Sequence, residues 1–233
     1  MRRIYLILFL AVSLNLFSQN YTTDTLRMSE RIETIQSMLD NSKSGVNLWW
    51  YGWLGAYSMA TVAQGVVCFT SENLATRQDM ILGAGTTLLG AVFQAITPLN
   101  TGKDAGLLAQ MSDSTLELKL KKLEMAEGYL RVNALKEKSG RSWQIHALNT
   151  AVNLGSGLIT WLGFKRSVWD GVGNFLMNSA VTELQIWTQP TKTMKDYRNY
   201  KQKYIDNQVT SNKTPPEYVL KAYPGGVSFA IVF

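Results

Sequence analysis

Apolar residues dominate four stretches in the middle of the chain, and they come in two pairs. The first pair is "LWWYGWLGAYSMATVAQGVVCF" and "MILGAGTTLLGAVFQAI", separated by the polar "TSENLATRQ". The second is "WQIHALNTAVNLGSGLITWLGF" and "VWDGVGNFLMNSAVTELQIW", joined by "KRS". No stretch alternates with the period of two that marks a half-buried strand, and no Asn-Gly or Asp-Gly hairpin turn separates them. The pattern predicts helices throughout the middle of the protein.

An amphipathic helix is expected ahead of each pair. Met28, Ile32, Ile35 and Leu39 recur at steps of three and four, and Lys43-Ser44-Gly45 reads as that helix's stop. The second runs from about Thr115 to Lys138. Leu116, Leu120, Leu123, Leu130 and Ala134 form its seam, Glu127 interrupts it, and Gly128 costs about 1 kcal/mol relative to alanine.

The punctuation recurs at a shift near 92. "TPLNTGKD" lies on "TQPTKTMKD", and Asp79, Gln94 and Thr97 fall on Asp170, Gln185 and Thr188. Lys43-Ser44-Gly45 likewise matches Lys138-Ser139-Gly140, each followed by tryptophan. The expected fold class is therefore all-α, a helical bundle of two similar three-helix halves with a short C-terminal strand-like tail. The corresponding boundaries are 1–18 for a signal peptide, 19–104 and 105–208 for the halves, and 209–233 for the tail.

Polar residues on the apolar runs decide how they are read. On a helical wheel Asp170, Asn174, Asn178 and Gln185 gather on one face of the fourth run, away from Val172, Phe175, Leu176 and Ile186. Asp79, Gly83, Thr86, Gly90 and Gln94 form a comparable small-and-polar face on the second. Such a stripe faces water in a soluble bundle and lines a pore or a ligand site in a membrane one. Trp49, Trp50 and Trp53 suit an interfacial aromatic cluster or a protein contact. Two models follow: a helical domain that docks on or enters a membrane, and a soluble periplasmic bundle with an unusually apolar hairpin.

The N-terminus favours export. Arg2 and Arg3 precede an uncharged apolar run from Ile4 to about Phe17, the layout of a signal peptide, with Gln19 as the expected mature start. Cleavage removes two of 23 basic and none of 17 acidic residues, leaving a net charge of +4 in place of +6. Its basic and acidic residues are interleaved, which argues against a nucleic-acid partner. Cys68 is the sole cysteine, so no internal disulfide can form. The chain ends "VSFAIVF", where Phe229, Ile231 and Phe233 alternate with Ala230 and Val232. These last nine or so residues resemble the terminal strand of outer-membrane barrel proteins, which implies strand addition to an envelope partner. The rest of the chain lacks the alternating strands of a barrel.

Candidate chemistry is sparse. Gly102-Lys103 is followed by Asp104, and Thr97 stands where a phosphate loop needs its first glycine, so "TPLNTGKD" reads as a helix stop and restart. His146 alone cannot satisfy a zinc spacing and reads as a packed or interfacial histidine. Asp79 and Asp170 read as N-cap or first-turn carboxylates. No catalytic residue, cofactor or metal site is expected, and the chain is read as non-enzymatic. The expected function is an exported, membrane-associated accessory or scaffold subunit of a larger assembly such as a secretion or transfer machine. Its expected partners are envelope proteins and membrane lipid, with homo-oligomers open. Alternatives are a small pore or transporter-like helical module and a soluble periplasmic helical binding protein.

Overall fold

The structure is a computed structural model that describes the backbone of residues 2–206, 217–223 and 226–232, and the side chains of residues 25–206. Its elements are α1 (Arg2–Thr70), α2 (Leu74–Ile96), α3 (Thr101–Gln110), α4 (Leu116–Gly140), α5 (Trp143–Leu158), α6 (Val168–Thr188), α7 (Lys192–Lys201), β1 (Glu217–Tyr223) and β2 (Gly226–Val232). Helix α5 runs on into a π-helical turn, Ile159–Gly163, and α7 into another, Gln202–Asp206. The segment expected as a signal peptide, 1–18, falls in the part of the chain whose side chains lie outside the described residues.

The helical expectation holds, and the ends of the helices follow their sequence signals. Asn73 caps α2 by accepting from the Thr76 N–H at 3.0 Å, and Thr115 caps α4 through Leu118 at 3.2 Å. Ser167 and Asp170 form a reciprocal capping box at the start of α6. "TPLNTGKD" is indeed a stop and restart, with α2 ending at Ile96 and α3 beginning at Thr101. Asp79 is a correction: it sits in the second turn of α2 rather than at its cap, which Asn73 supplies.

A larger correction concerns Lys43-Ser44-Gly45, which does not end a helix. Helix α1 passes through it without a break, so the expected amphipathic helix and the first apolar run are one element. Tertiary packing outweighs the roughly 1 kcal/mol that Gly45 costs a helix. The buried ladder Ile32, Ile35, Leu39 continues at the same spacing through Ser42 and Val46. Ser42 donates to the Met38 carbonyl at 2.8 Å, and Asn47 lies against Gly102 at the start of α3. The matching Lys138-Ser139-Gly140 does end its helix, so the two stretches do not behave alike.

The chain divides into two compact units, Met1–Lys195 and Asp196–Phe233, and the first unit takes in the whole of the expected first half and residues 105–195 of the second. That unit has two layers. In one, the first part of α1 packs with α3 and α4 around Ile35, Leu39, Leu108, Ala126 and Leu130, all sealed from solvent. Arg31 pairs there with Glu127, the residue that interrupts the α4 seam. In the other layer two helical hairpins stand together, α1 with α2 and α5 with α6. Their turns are short, 71–73 and 164–167, with Lys165 in the left-handed conformation at φ 55°.

In the second unit Tyr200 and Tyr204 are buried with ring centroids 5.0 Å apart, and the Lys203 ammonium lies 4.5 Å from the Tyr204 ring. Strands β1 and β2 pair antiparallel, with Leu220 opposite Phe229 and Tyr218 opposite Ile231.

Candidate functional site

The two hairpins are inverted relative to an ordinary soluble bundle. Gln94 and Asn153 are each 2% exposed and Thr160 1%, whereas Phe69 is 89%, Met59 74%, Ile96 70% and Met177 70% exposed. Polar side chains have turned inward, where they bond to one another, and the large apolar ones cover the outside.

At the end nearest α3 and α4, a glutamine pair bridges the hairpins. Gln185 on α6 donates to Gln94 on α2 at 2.9 Å and accepts from the Tyr57 hydroxyl of α1 at 2.8 Å. Gln94 also donates to the Trp50 carbonyl at 3.1 Å, and the Trp50 indole donates to the Gln94 carbonyl at 2.9 Å. The other two tryptophans singled out by sequence reach α6: Trp49 donates to the Gln185 carbonyl at 3.2 Å and Trp53 to the Thr188 hydroxyl at 3.1 Å. All three indole N–H groups are therefore spent inside the protein.

At the opposite end the bridge is ionic. Arg166, in the α5–α6 turn, pairs with Asp79 of α2 at 2.5 Å and with Asp170 of α6 at 3.2 Å. Gln94 and Gln185 are 91 positions apart, as are Asp79 and Asp170, so the correspondences seen in the sequence bring matched residues to the same two bridges.

Between the bridges, polar residues bond mainly within each hairpin. Thr61 donates to Thr87 at 2.9 Å and Thr87 to Gln64 at 3.0 Å in the first. In the second, Asn153 donates to Thr182 at 2.9 Å, Ser156 to Asn174 at 2.6 Å, and Asn178 to Asn174 at 3.0 Å. Helices α5 and α6 meet closely where Gly157 and Gly171 face each other. A Cβ on either would stand 2.6 Å from the other's carbonyl oxygen, so only glycine fits.

A cavity of about 460 Å³ lies between the hairpins, walled by all four helices. A second lobe of about 360 Å³ adjoins it toward α4, sharing Phe93, Ile145, Asn149 and Gln185. Of the stripe expected from sequence, Asn178 and Gln185 line the larger lobe, while Asp170 and Asn174 do not. Sequence reading missed Gln64, Asn149 and Asn153, although Asn149, Asn153, Ser156 and Thr160 repeat at steps of four, three and four and mark a polar face of α5.

His146 lies between α5 and α6 with Nδ1 2.9 Å from both oxygens of Glu183, and Arg141 stacks 5.3 Å from the Trp187 centroid. No cluster of metal-ligating side chains occurs among the described residues. Phe229 and Ile231 lie in β2, and Phe233 is outside the described residues. Comparisons with protein-family models, curated proteins and solved structures find no match to this chain.

Proposed function

We propose that the chain is a non-enzymatic, membrane-embedded accessory or scaffold subunit of a cell-envelope assembly, exported by its N-terminal segment. The observation that carries this reading is the inversion of the two hairpins. Exposed apolar area on this scale is not left in water by a monomer. A bilayer both tolerates it and forces polar side chains to pair inside.

The dimensions agree. By length and composition, Leu74–Gln110 contains a helix apolar enough to cross a membrane, with mean hydropathy 1.5. Helices α2 and α6, at 23 and 21 residues, extend about 34 and 31 Å against a hydrocarbon core of about 30 Å. Average hydropathy undervalues α5 and α6 because it counts inward-facing Asn, Ser, Thr and Gln against them. Tryptophans support two interfaces, with Trp161 and Trp169 near the 164–167 turn and Trp49, Trp143 and Trp187 toward the other end. The layer of α1, α3 and α4 then stands in the periplasm, offering a charged helical surface to protein partners. Lys165 and Arg166 sit on the cytoplasmic side.

The residues 91 apart that share each bridge support a duplicated origin for the hairpins. The tail carries the finer reading of partner engagement, an edge of the β1–β2 ribbon adding to an envelope partner's sheet.

Single cysteines in a Cys68→Ser background test the topology. Glu124→Cys should react with a membrane-impermeant maleimide in cells with a permeabilised outer membrane, and Glu72→Cys only after lysis. The protein should also resist alkaline carbonate. Carbonate release, or equal labelling of both positions in intact inner membranes, refutes the embedded reading.

A further inference from the structure

We infer that the cavity between the hairpins is a binding site for an uncharged amphiphile, a single apolar chain with a hydroxyl- or amide-bearing head. Asn149 lines both lobes at their junction, and its side chain has no hydrogen-bond partner among the described residues. Asn149 is half-buried, and its amide, able both to donate and to accept, is open to the polar head of a ligand in the cavity.

The walls set the rest of the ligand. Leu89, Phe93, Leu148, Val152 and Val181 present apolar surface to the larger lobe, which suits a hydrocarbon body. No carboxylate, lysine or arginine lines that lobe, so a charged ligand would enter without a counterion. Lys136 touches only the smaller lobe and is already donating to the Pro98 carbonyl at 3.0 Å.

Size discriminates among occupants. A partner helix crossing a bilayer occupies about 2,400 Å³, taken as a cylinder about 10 Å wide and 30 Å long, several times the volume of either lobe. Water alone leaves the apolar part of the wall unmatched, whereas an amphiphile meets both that part and the polar side chains. Volumes of about 300–1,000 Å³ are usual for small-molecule sites. The membrane-embedded reading supplies the ligand's source, a surrounding lipid phase, and the site's geometry does not depend on it.

A diazirine-bearing monoacylglycerol is the probe, added to the purified full chain in nanodiscs and followed by mass mapping of adducts. Adducts should saturate, fall on α2 and α5 at positions such as Phe93, Leu148 and Val152, and be displaced by unlabelled monoolein. Oleate, with the same chain and a charged head, should compete at least tenfold less well. Asn149→Ala should weaken competition by monoolein about fivefold, one hydrogen bond's worth. Val152→Trp should block labelling by filling the lobe. Labelling that does not saturate, equal competition by oleate, or unchanged affinity in Asn149→Ala overturns the assignment. Asn149→Ala removes no side-chain bond among the described residues, so its result stands even if Val152→Trp fails to fold. Loss of the site with carbonate resistance intact rejects this inference alone, whereas carbonate release rejects the embedded reading.

Discussion

Replacing Gln94 by leucine tests the bridge that joins the two hairpins. The side chain is 2% exposed and makes two bonds, donating to the Trp50 carbonyl and accepting from Gln185. Leucine is close in volume, so the cost is electrostatic rather than a cavity. It strands the Gln185 amide, and a buried donor without an acceptor costs about 1–3 kcal/mol. Bonds between helices within a membrane average nearer 0.6 kcal/mol. Weighing both, Gln94→Leu should destabilise by about 1–2 kcal/mol, a fall in Tm of about 3–6 °C for a chain of this size. Gln185→Leu should cost as much or more, since it also deprives the Tyr57 hydroxyl of its acceptor. The decisive measurement is the double-mutant cycle, by circular dichroism melts in one detergent. The double variant should recover part of the loss, with a coupling of about 0.6–1.5 kcal/mol. Additivity within about 0.3 kcal/mol would mean that the two glutamines do not meet, and the bridge would be wrong.

Three further outcomes follow from the geometry. Leu39→Ala empties a fully buried position between α1, α3 and α4 and should cost about 2–4 kcal/mol, a Tm fall of about 6–12 °C; a loss below 1 kcal/mol would remove Leu39 from the core. Arg166→Gln releases Asp79 and Asp170, whose side chains are over a third exposed, so its cost should stay below about 1 kcal/mol and shrink further in 0.5 M salt. Asp40 is held below the ordinary carboxylate range by hydrogen bonds from Lys43 and Gln36. Because its folded-state pKa is lowered, its contribution is complete above the unfolded value of about 3.9 and is lost as pH falls through the folded one. The stability gap between wild type and Asp40→Asn should therefore be open at pH 7 and close in acid, and a gap that persists or widens there would contradict the assignment.

Helix positions were legible because apolar spacing and capping residues are local signals. Thr115, Ser167 and the stop at "TPLNTGKD" all act within one turn of their own position. The continuity of α1 was not legible, because Lys43-Ser44-Gly45 carries the residues of a helix end while the packing of Ser42 and Val46 is decided by α3 and α4. The stripe on α6 was visible as a face but not as to its neighbours. Asn174 bonds to Ser156, Asn178 faces the cavity, and Asp170 answers to Arg166. A wheel groups residues by angle, and these differ in height along the helix. The cavity was out of reach, since it needs four helices to enclose it. Two of its polar lining residues, Asn149 and Asn153, nevertheless sit at a regular helical step on α5.

Helix α1 changes character along its length in a way that a single average of hydropathy does not record. The same ladder of inward positions runs the length of the described helix at steps of three and four, through Ile32, Ile35, Leu39, Ser42 and Val46 to Trp50, Trp53, Tyr57, Thr61 and Gln64. Up to Val46 it is mostly apolar, and the opposite face carries Glu33, Ser37, Asn41 and Lys43. Beyond Asn47 the ladder turns aromatic and then polar, and the opposite face becomes Leu48, Tyr51, Met59, Val62 and Val66. The geometry is constant while the chemistry of the two faces exchanges within one turn. The membrane-embedded reading proposed above accounts for the exchange, because the outward face of a helix that leaves water for hydrocarbon at that level has to match whichever medium it meets. The exchange falls level with Trp49, Trp50 and Trp53, which are suited to a boundary of that kind and whose N–H groups are already satisfied by α2 and α6.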